Sequence, residues 1–143
     1  MYVYHWLNRQ NETFIKEMEK AINGEYGAII CYTKLANLAP NEEERKRILE
    51  IRKDEMIHFQ QFAQLYVNVT GKQPQPKMIE ACPETYVKGL EEAFHDEQVT
   101  VDFYMKIADE ATNLYVKEAF KRAAVDEQNH AVWFLYYLMK KRL

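Results

Sequence analysis

Glu55-Met56-Ile57-His58 and Glu127-Gln128-Asn129-His130 are two copies of one pattern, Glu-x-x-His, set 72 residues apart. The same offset pairs Glu25 with Glu97, Tyr32 with Tyr104, Ala36 with Ala108, Asp54 with Asp126 and Phe62 with Phe134. Laid without a gap on residues 84–140, residues 12–68 give 15 identities in 57 pairs, and pairs such as Met18/Leu90 and Leu35/Ile107 are conservative. Four glutamates and two histidines kept in register across an ungapped repeat point to two copies of a helical hairpin that together build a two-metal site.

Helical periodicity supports the reading. From about Asn11 to Ala39 the apolar positions run Met18, Ile22, Ile29, Tyr32 and Ala36, and Glu25 falls inside that seam. Pro40 stops the first helix, and Asn41 followed by Glu44 reads as the cap of a second. The second seam, Ile48, Ile51, Glu55, His58, Phe62, Leu65 and Val69, ends near Thr70. The charged run Glu42 to Lys46 reads as a solvated face without functional weight. Gly24 and Gly27 flank Glu25, which leaves two readings open: drift, or room for another backbone or a ligand.

Gly71-Lys72-Gln73-Pro74-Gln75-Pro76-Lys77 opens a linker that continues to about Cys82. Fully extended, it spans roughly 40 Å, about the length of one of these helices, so it serves as a crossover along a bundle. That tight fit keeps hairpin exchange between two chains open, and a homodimer is expected. Pro83 suits the first turn of a third helix, with Leu90, Phe94, Glu97, Val101, Tyr104 and Ala108 in its seam. A fourth helix from about Asn113 carries Phe120, Ala123, Glu127, His130, Phe134 and Tyr137. The fold expected is all-α, a single four-helix bundle domain of two hairpins.

Residues three apart on a helix project from one face. Each Glu-x-x-His therefore sends a carboxylate and an imidazole to one inward patch. Joined by Glu25 and Glu97, they put four carboxylates and two imidazoles into an apolar interior. A buried carboxylate costs several kcal/mol unless it is paired, and like charges nearby add to that cost. No lysine or arginine lies on the four seams, whereas two divalent cations would neutralise four carboxylates. Mixed oxygen and imidazole ligands favour iron or manganese over calcium or magnesium.

Supporting roles are open for Tyr32 and Tyr104, each within reach of a ligand carboxylate or simply filling the core. Asp54 and Asp126 either orient the outer nitrogens of the histidines or stand as surface acids. His95, His5 and Cys31 are read as non-ligands; Cys31 has Phe103 as its counterpart in the second repeat. The patch Trp133, Phe134, Tyr136 and Tyr137 covers more than one helix face, which suggests packing against the N-terminal leader or a second subunit.

Composition sets the outer bounds. A net charge of −3 over 143 residues argues against nucleic acid or an anionic membrane as partner. No apolar run approaches the roughly 20 residues that span a bilayer. The leader Met1 to Leu7 lacks the basic region and cleavage site of a signal peptide, so a cytoplasmic location is expected. Cys31 and Cys82 form no Cys-x-x-Cys unit, which excludes a zinc ribbon or a rubredoxin-type centre.

With these residues in hand, the chain from about Asn11 to Met139 resembles the ferritin-like superfamily and, within it, rubrerythrin-type di-iron domains. The resemblance implies two iron ions: Glu25 and Glu97 as terminal ligands on different metals, Glu55 and Glu127 bridging, and His58 and His130 completing the set. It also implies cycling between diferrous and diferric states while reducing hydrogen peroxide or dioxygen. Two departures stand out. Rubrerythrins carry a further glutamate where this chain has Thr100, so metal-linked ligand exchange is not implied here. They also carry a rubredoxin-like module, so turnover here calls for a separate electron donor protein. The same six ligands fit a ferroxidase centre or a dimanganese catalase, and a metal-free structural bundle is the third reading.

Overall fold

Helix boundaries fall where local chemistry satisfies the end groups of each helix. The computed structural model describes the backbone of residues 2–142 and the side chains of residues 11–142, so the His5 imidazole and the other side chains of the leader lie outside what is described. Four helices result: α1 (Tyr2–Leu38), α2 (Glu42–Thr70), α3 (Tyr86–Glu110) and α4 (Leu114–Arg142). The first begins earlier than the seam alone indicates.

Asn41 caps α2 as expected: its Oδ1 accepts from the Glu44 backbone N–H at 2.9 Å, and its Nδ2 donates to Glu44 Oε2 at 2.6 Å. Glu44 itself corrects the reading of the charged run. It is buried, and its second oxygen accepts from the Tyr86 hydroxyl at 2.9 Å, which ties the start of α2 to the start of α3. Gly71 ends α2 in the left-handed conformation (φ 71°), its N–H returning to the Val67 carbonyl. The third helix starts after Pro83, not on it, because Thr85 Oγ1 accepts from the Lys88 N–H and sets the cap there. Asn113 caps α4 through the N–H groups of Tyr115 and Val116.

The crossover climbs beside α1. Lys77 N–H donates to Asn23 Oδ1 at 2.9 Å, Cys82 is disulfide-bonded to Cys31, and Glu84 pairs with Lys34 at 2.9 Å. From there α3 runs antiparallel to α1, with Gly89 against Leu35 near one end and Lys106 facing Glu17 near the other. The fourth helix runs antiparallel to α2 and places Trp133 under the Arg47 guanidinium at 4.0 Å. The topology is up-down-down-up, a four-helix bundle of two hairpins with a long crossover.

Two apolar clusters fill the bundle. One gathers Met18, Ile22, Phe62, Tyr104, Ile107 and Phe120; the other gathers Tyr32, Leu35, Ile48, Leu90, Phe134 and Tyr137. Phe134 and Tyr137 are core residues, as their seam positions imply; Trp133 is half-buried beside them, and Tyr136 is exposed. The repeated ionisable positions form a polar layer between the two clusters.

Candidate metal centre

All six seam residues converge. Glu25, Glu55, His58, Glu97, Glu127 and His130 are each no more than 2% exposed, one step along the seam from the nearest apolar cluster. Their ligand atoms form two sets, Glu25-Glu55-His58-Glu127 and Glu55-Glu97-Glu127-His130, each with its atoms within 4.8 Å of one another. Glu55 and Glu127 belong to both sets, which is the arrangement two neighbouring cations would need.

Both histidines turn Nδ1 inward. His58 Nδ1 lies 3.1 Å from Glu127, 3.4 Å from Glu55 and 3.6 Å from Glu25. For His130 the distances are 3.3 Å to Glu55, 3.6 Å to Glu97 and 3.9 Å to Glu127. Outward, each Nε2 meets an aspartate of the other hairpin: His58 with Asp126 and His130 with Asp54, both at 2.8 Å. Both contacts cross between α2 and α4. A carboxylate accepts only, so this contact keeps the Nε2 proton outside and leaves Nδ1 for the centre.

The tyrosines cross over in the same way. Tyr32 of α1 donates to Glu97 of α3 at 2.6 Å, and Tyr104 of α3 donates to Glu25 of α1 at 2.5 Å. Aromatic neighbours hold the rings: Tyr32 against Phe134, and Tyr104 edge-on to Phe62 and Phe120. The hydroxyls fix the orientation of the two carboxylates that belong to one set only.

Six polar atoms of this layer, one on each residue, are buried without a hydrogen-bond partner: Glu25 Oε2, Glu55 Oε1, His58 Nδ1, Glu97 Oε2, Glu127 Oε1 and His130 Nδ1. Orphaned buried polar atoms are uncommon and costly. Their convergence matches the donor set of a di-metal site, so the residues fit such a group. The protonation equilibria show the same demand for positive charge. Burial, reinforced by the charge of Glu55, pushes the Glu25 carboxyl up to about 8. Glu97 and Glu127 are raised by burial and by Glu55 in the same sense. Burial acts against charge on Glu55 too, but the close approach of the His130 and His58 imidazoles outweighs it and holds the group at about 2. Burial opposes charge on His58 and His130 as well. Asp126 and Glu25 nevertheless lift His58 to about 12, and Glu55 and Glu97 lift His130 to about 11. Without a cation, the layer holds protons in its place.

A groove of about 370 Å³ between α1 and α3 reaches this layer, with Glu25, Glu55, Glu97 and Glu127 at its floor. Its walls include Gly24, Gly27, Ala28 and Thr100. Neither glycine is needed for close helix packing, since a Cβ at Gly24 would meet nothing within 4 Å and one at Gly27 only Met78 Sδ at 4.0 Å. Small side chains here leave the groove open. Thr100 turns its hydroxyl to the Asp96 carbonyl of its own helix. His95 sits on the surface beside Asp96 and takes no part in the layer. Cys31 also lines the groove, and its disulfide to Cys82 is a feature that motif reading missed. Two cysteines 51 residues apart carry no spacing signal, and only the path of the crossover brings them together.

Comparison with known proteins agrees with this geometry. The family model described as Rubrerythrin matches residues 88–143, the hairpin that carries Glu97, Glu127 and His130. Uncharacterized protein YhjR of Bacillus subtilis (strain 168) is 54% identical over 140 residues, covering 98% of this chain and 97% of that protein. Among solved structures, a hypothetical protein from Pyrococcus furiosus is similar in fold, with a TM-score of 0.76 over 88% of each chain at 19% identity.

Proposed function

The chain belongs to the rubrerythrin family of ferritin-like proteins, and on that premise we propose that its six converged side chains bind two iron ions and that the loaded protein reduces hydrogen peroxide in the cytoplasm. The observation that carries the reading is the set of six orphaned atoms, one on each repeated residue, grouped in two sets that share Glu55 and Glu127. Glu25 and His58 would hold one metal, Glu97 and His130 the other, with Glu55 and Glu127 between them. When bound, the metal pair supplies the two electrons that break the O–O bond.

The protein's part is placement and exclusion. Asp54 and Asp126 hold the imidazoles with Nδ1 inward, and Tyr32 and Tyr104 fix the outer carboxylates. Phe62, Phe120 and Phe134 close the layer from either end, which leaves the α1–α3 groove as the approach for a small oxidant. Turnover requires electrons from a separate donor.

Loading the metal-free protein anaerobically with two ferrous ions per chain, then adding peroxide or air and following the ferric absorbance, tests the reaction. Fast oxidation by peroxide with slow oxidation by air is the expected result. Fast oxidation by air with accumulation of a ferric core would instead make the chain an iron-handling protein. Native manganese with oxygen evolution from peroxide would make it a catalase.

A further inference from the structure

We propose that Cys31 and Cys82 form a redox-active dithiol/disulfide pair through which a dithiol reductant outside the chain delivers electrons to the metal layer. The inference rests on the di-metal reading above. It answers the question that reading leaves, namely where the two electrons of each turnover come in.

Position is the first support. Cys31 lines the groove that also holds the ligand carboxylates, as do Ala81 and Pro83 on either side of Cys82; the disulfide joins α1 to the crossover there, and both cysteines are half-buried, within reach of an exchanging thiolate. Cys31 is also the residue before Tyr32, whose hydroxyl donates to Glu97 at 2.6 Å. A short path of bonded atoms and one hydrogen bond thus links the sulfur to a carboxylate of the layer.

Asymmetry is the second support. The ligands, the tyrosines and the aspartates all obey the internal repeat, but the sulfur pair does not: Cys31 corresponds to Phe103, and Cys82 lies in the crossover between the repeats. The pair is an addition to a symmetric cage, on the side where the cage opens.

The third support is how the crossover is held. Lys77 N–H bonds Asn23 on one flank of Cys82, and Glu84 pairs with Lys34 on the other. Once the disulfide is reduced, these contacts keep the two thiols adjacent, so the bond re-forms without a search by the chain.

The chemistry balances. The Cys31 and Cys82 thiols would become one disulfide and release two protons and two electrons, which two bound, oxidised metal ions would accept one each. A thiolate of the external dithiol then attacks the disulfide, and its second thiol resolves the mixed disulfide. Both cysteines return as thiols, and the external carrier leaves oxidised.

The test uses the full chain and counts thiols as well as metal oxidation. Metal-free protein is reduced with dithiothreitol, desalted anaerobically, loaded with two ferrous ions per chain and given one equivalent of peroxide. In the wild type the ferric absorbance should rise and then decay, with both thiols lost and ferrous iron regained. Cys82→Ser and Cys31→Ser should bind both metals yet keep the ferric absorbance at least tenfold longer. Zinc-loaded wild type, whose metal is redox-inert, should keep its thiols when given peroxide.

Stable ferric absorbance beside two free thiols in the wild type would overturn the relay and leave the metal site standing. Thiol loss in the zinc-loaded protein at the same rate would overturn it in favour of direct attack by peroxide. A disulfide that dithiothreitol does not open in the native protein would make it a structural staple. Failure of wild type and both variants to bind two metals would remove the site reading itself, and the relay with it.

Discussion

At the scale of single residues, the bundle spends its polar atoms unevenly between roles. Glu55 and Glu127 belong to both ligand sets, so their loss reaches further than loss of Glu25 or Glu97. Replacing Glu127 by alanine should abolish two-metal binding, read by anaerobic titration with metal analysis of the desalted protein. Tyr104→Phe removes a hydroxyl 2.5 Å from Glu25 but no ligand, so two metals should still bind, with affinity lowered roughly 10–100-fold. The two aspartates differ in their surroundings. Asp126 is largely covered and paired with Arg122 at 3.2 Å, and His58 and Arg122 hold it low against the opposing effect of burial. Asp54 is 44% exposed at its side chain and has His130 as its partner. Asp126→Asn should therefore weaken metal retention more than Asp54→Asn, as measured by loss to a competing chelator.

At the scale of elements, what was legible in the sequence was whatever obeys the helical period. The four seams, the cap at Asn41 and the convergence of the six ionisable residues follow from spacing, because a helix converts spacing directly into a shared face. Contacts made across elements carried no such signal. Glu44 looked like part of a solvated charge run, and only the approach of Tyr86 from α3 explains its burial. Tyr32 and Tyr104 were visible as candidates, but their crossed partners were not. The crossover was visible as a linker, but its route beside α1 and the disulfide it permits were not. One close crossing is similarly silent in the sequence: a Cβ on Gly89 would come within 2.5 Å of Leu35 Cδ1 in the core. Gly89→Ala gains up to about 1 kcal/mol of helix propensity but overpacks the α1–α3 contact by about 1–3 kcal/mol. A small net loss of stability in urea unfolding is the expected outcome.

At the scale of the whole molecule, a layer of buried acids and imidazoles lies between two apolar clusters, and its charge balance couples stability to pH and to metal. Glu25 is raised from 4.5 to about 8 and His58 from 6.5 to about 12, so over those ranges the metal-free folded chain binds more protons than the unfolded chain. Stability of the metal-free protein therefore falls as pH rises through neutrality. Glu55, held at about 2, acts in the opposite sense, and its contribution is lost only in strong acid. The melting temperature of metal-free protein should drop between about pH 6 and about pH 8.5. Metal, which displaces the protons, should raise it most at the higher pH. The central claim is that six residues hold two metals in each chain. Anaerobic titration of the metal-free wild type with ferrous ion tests it most directly. The account predicts saturation at two equivalents per chain, and at fewer than two in Glu127→Ala; no saturable binding by the wild type, or two equivalents retained by the variant, would contradict it.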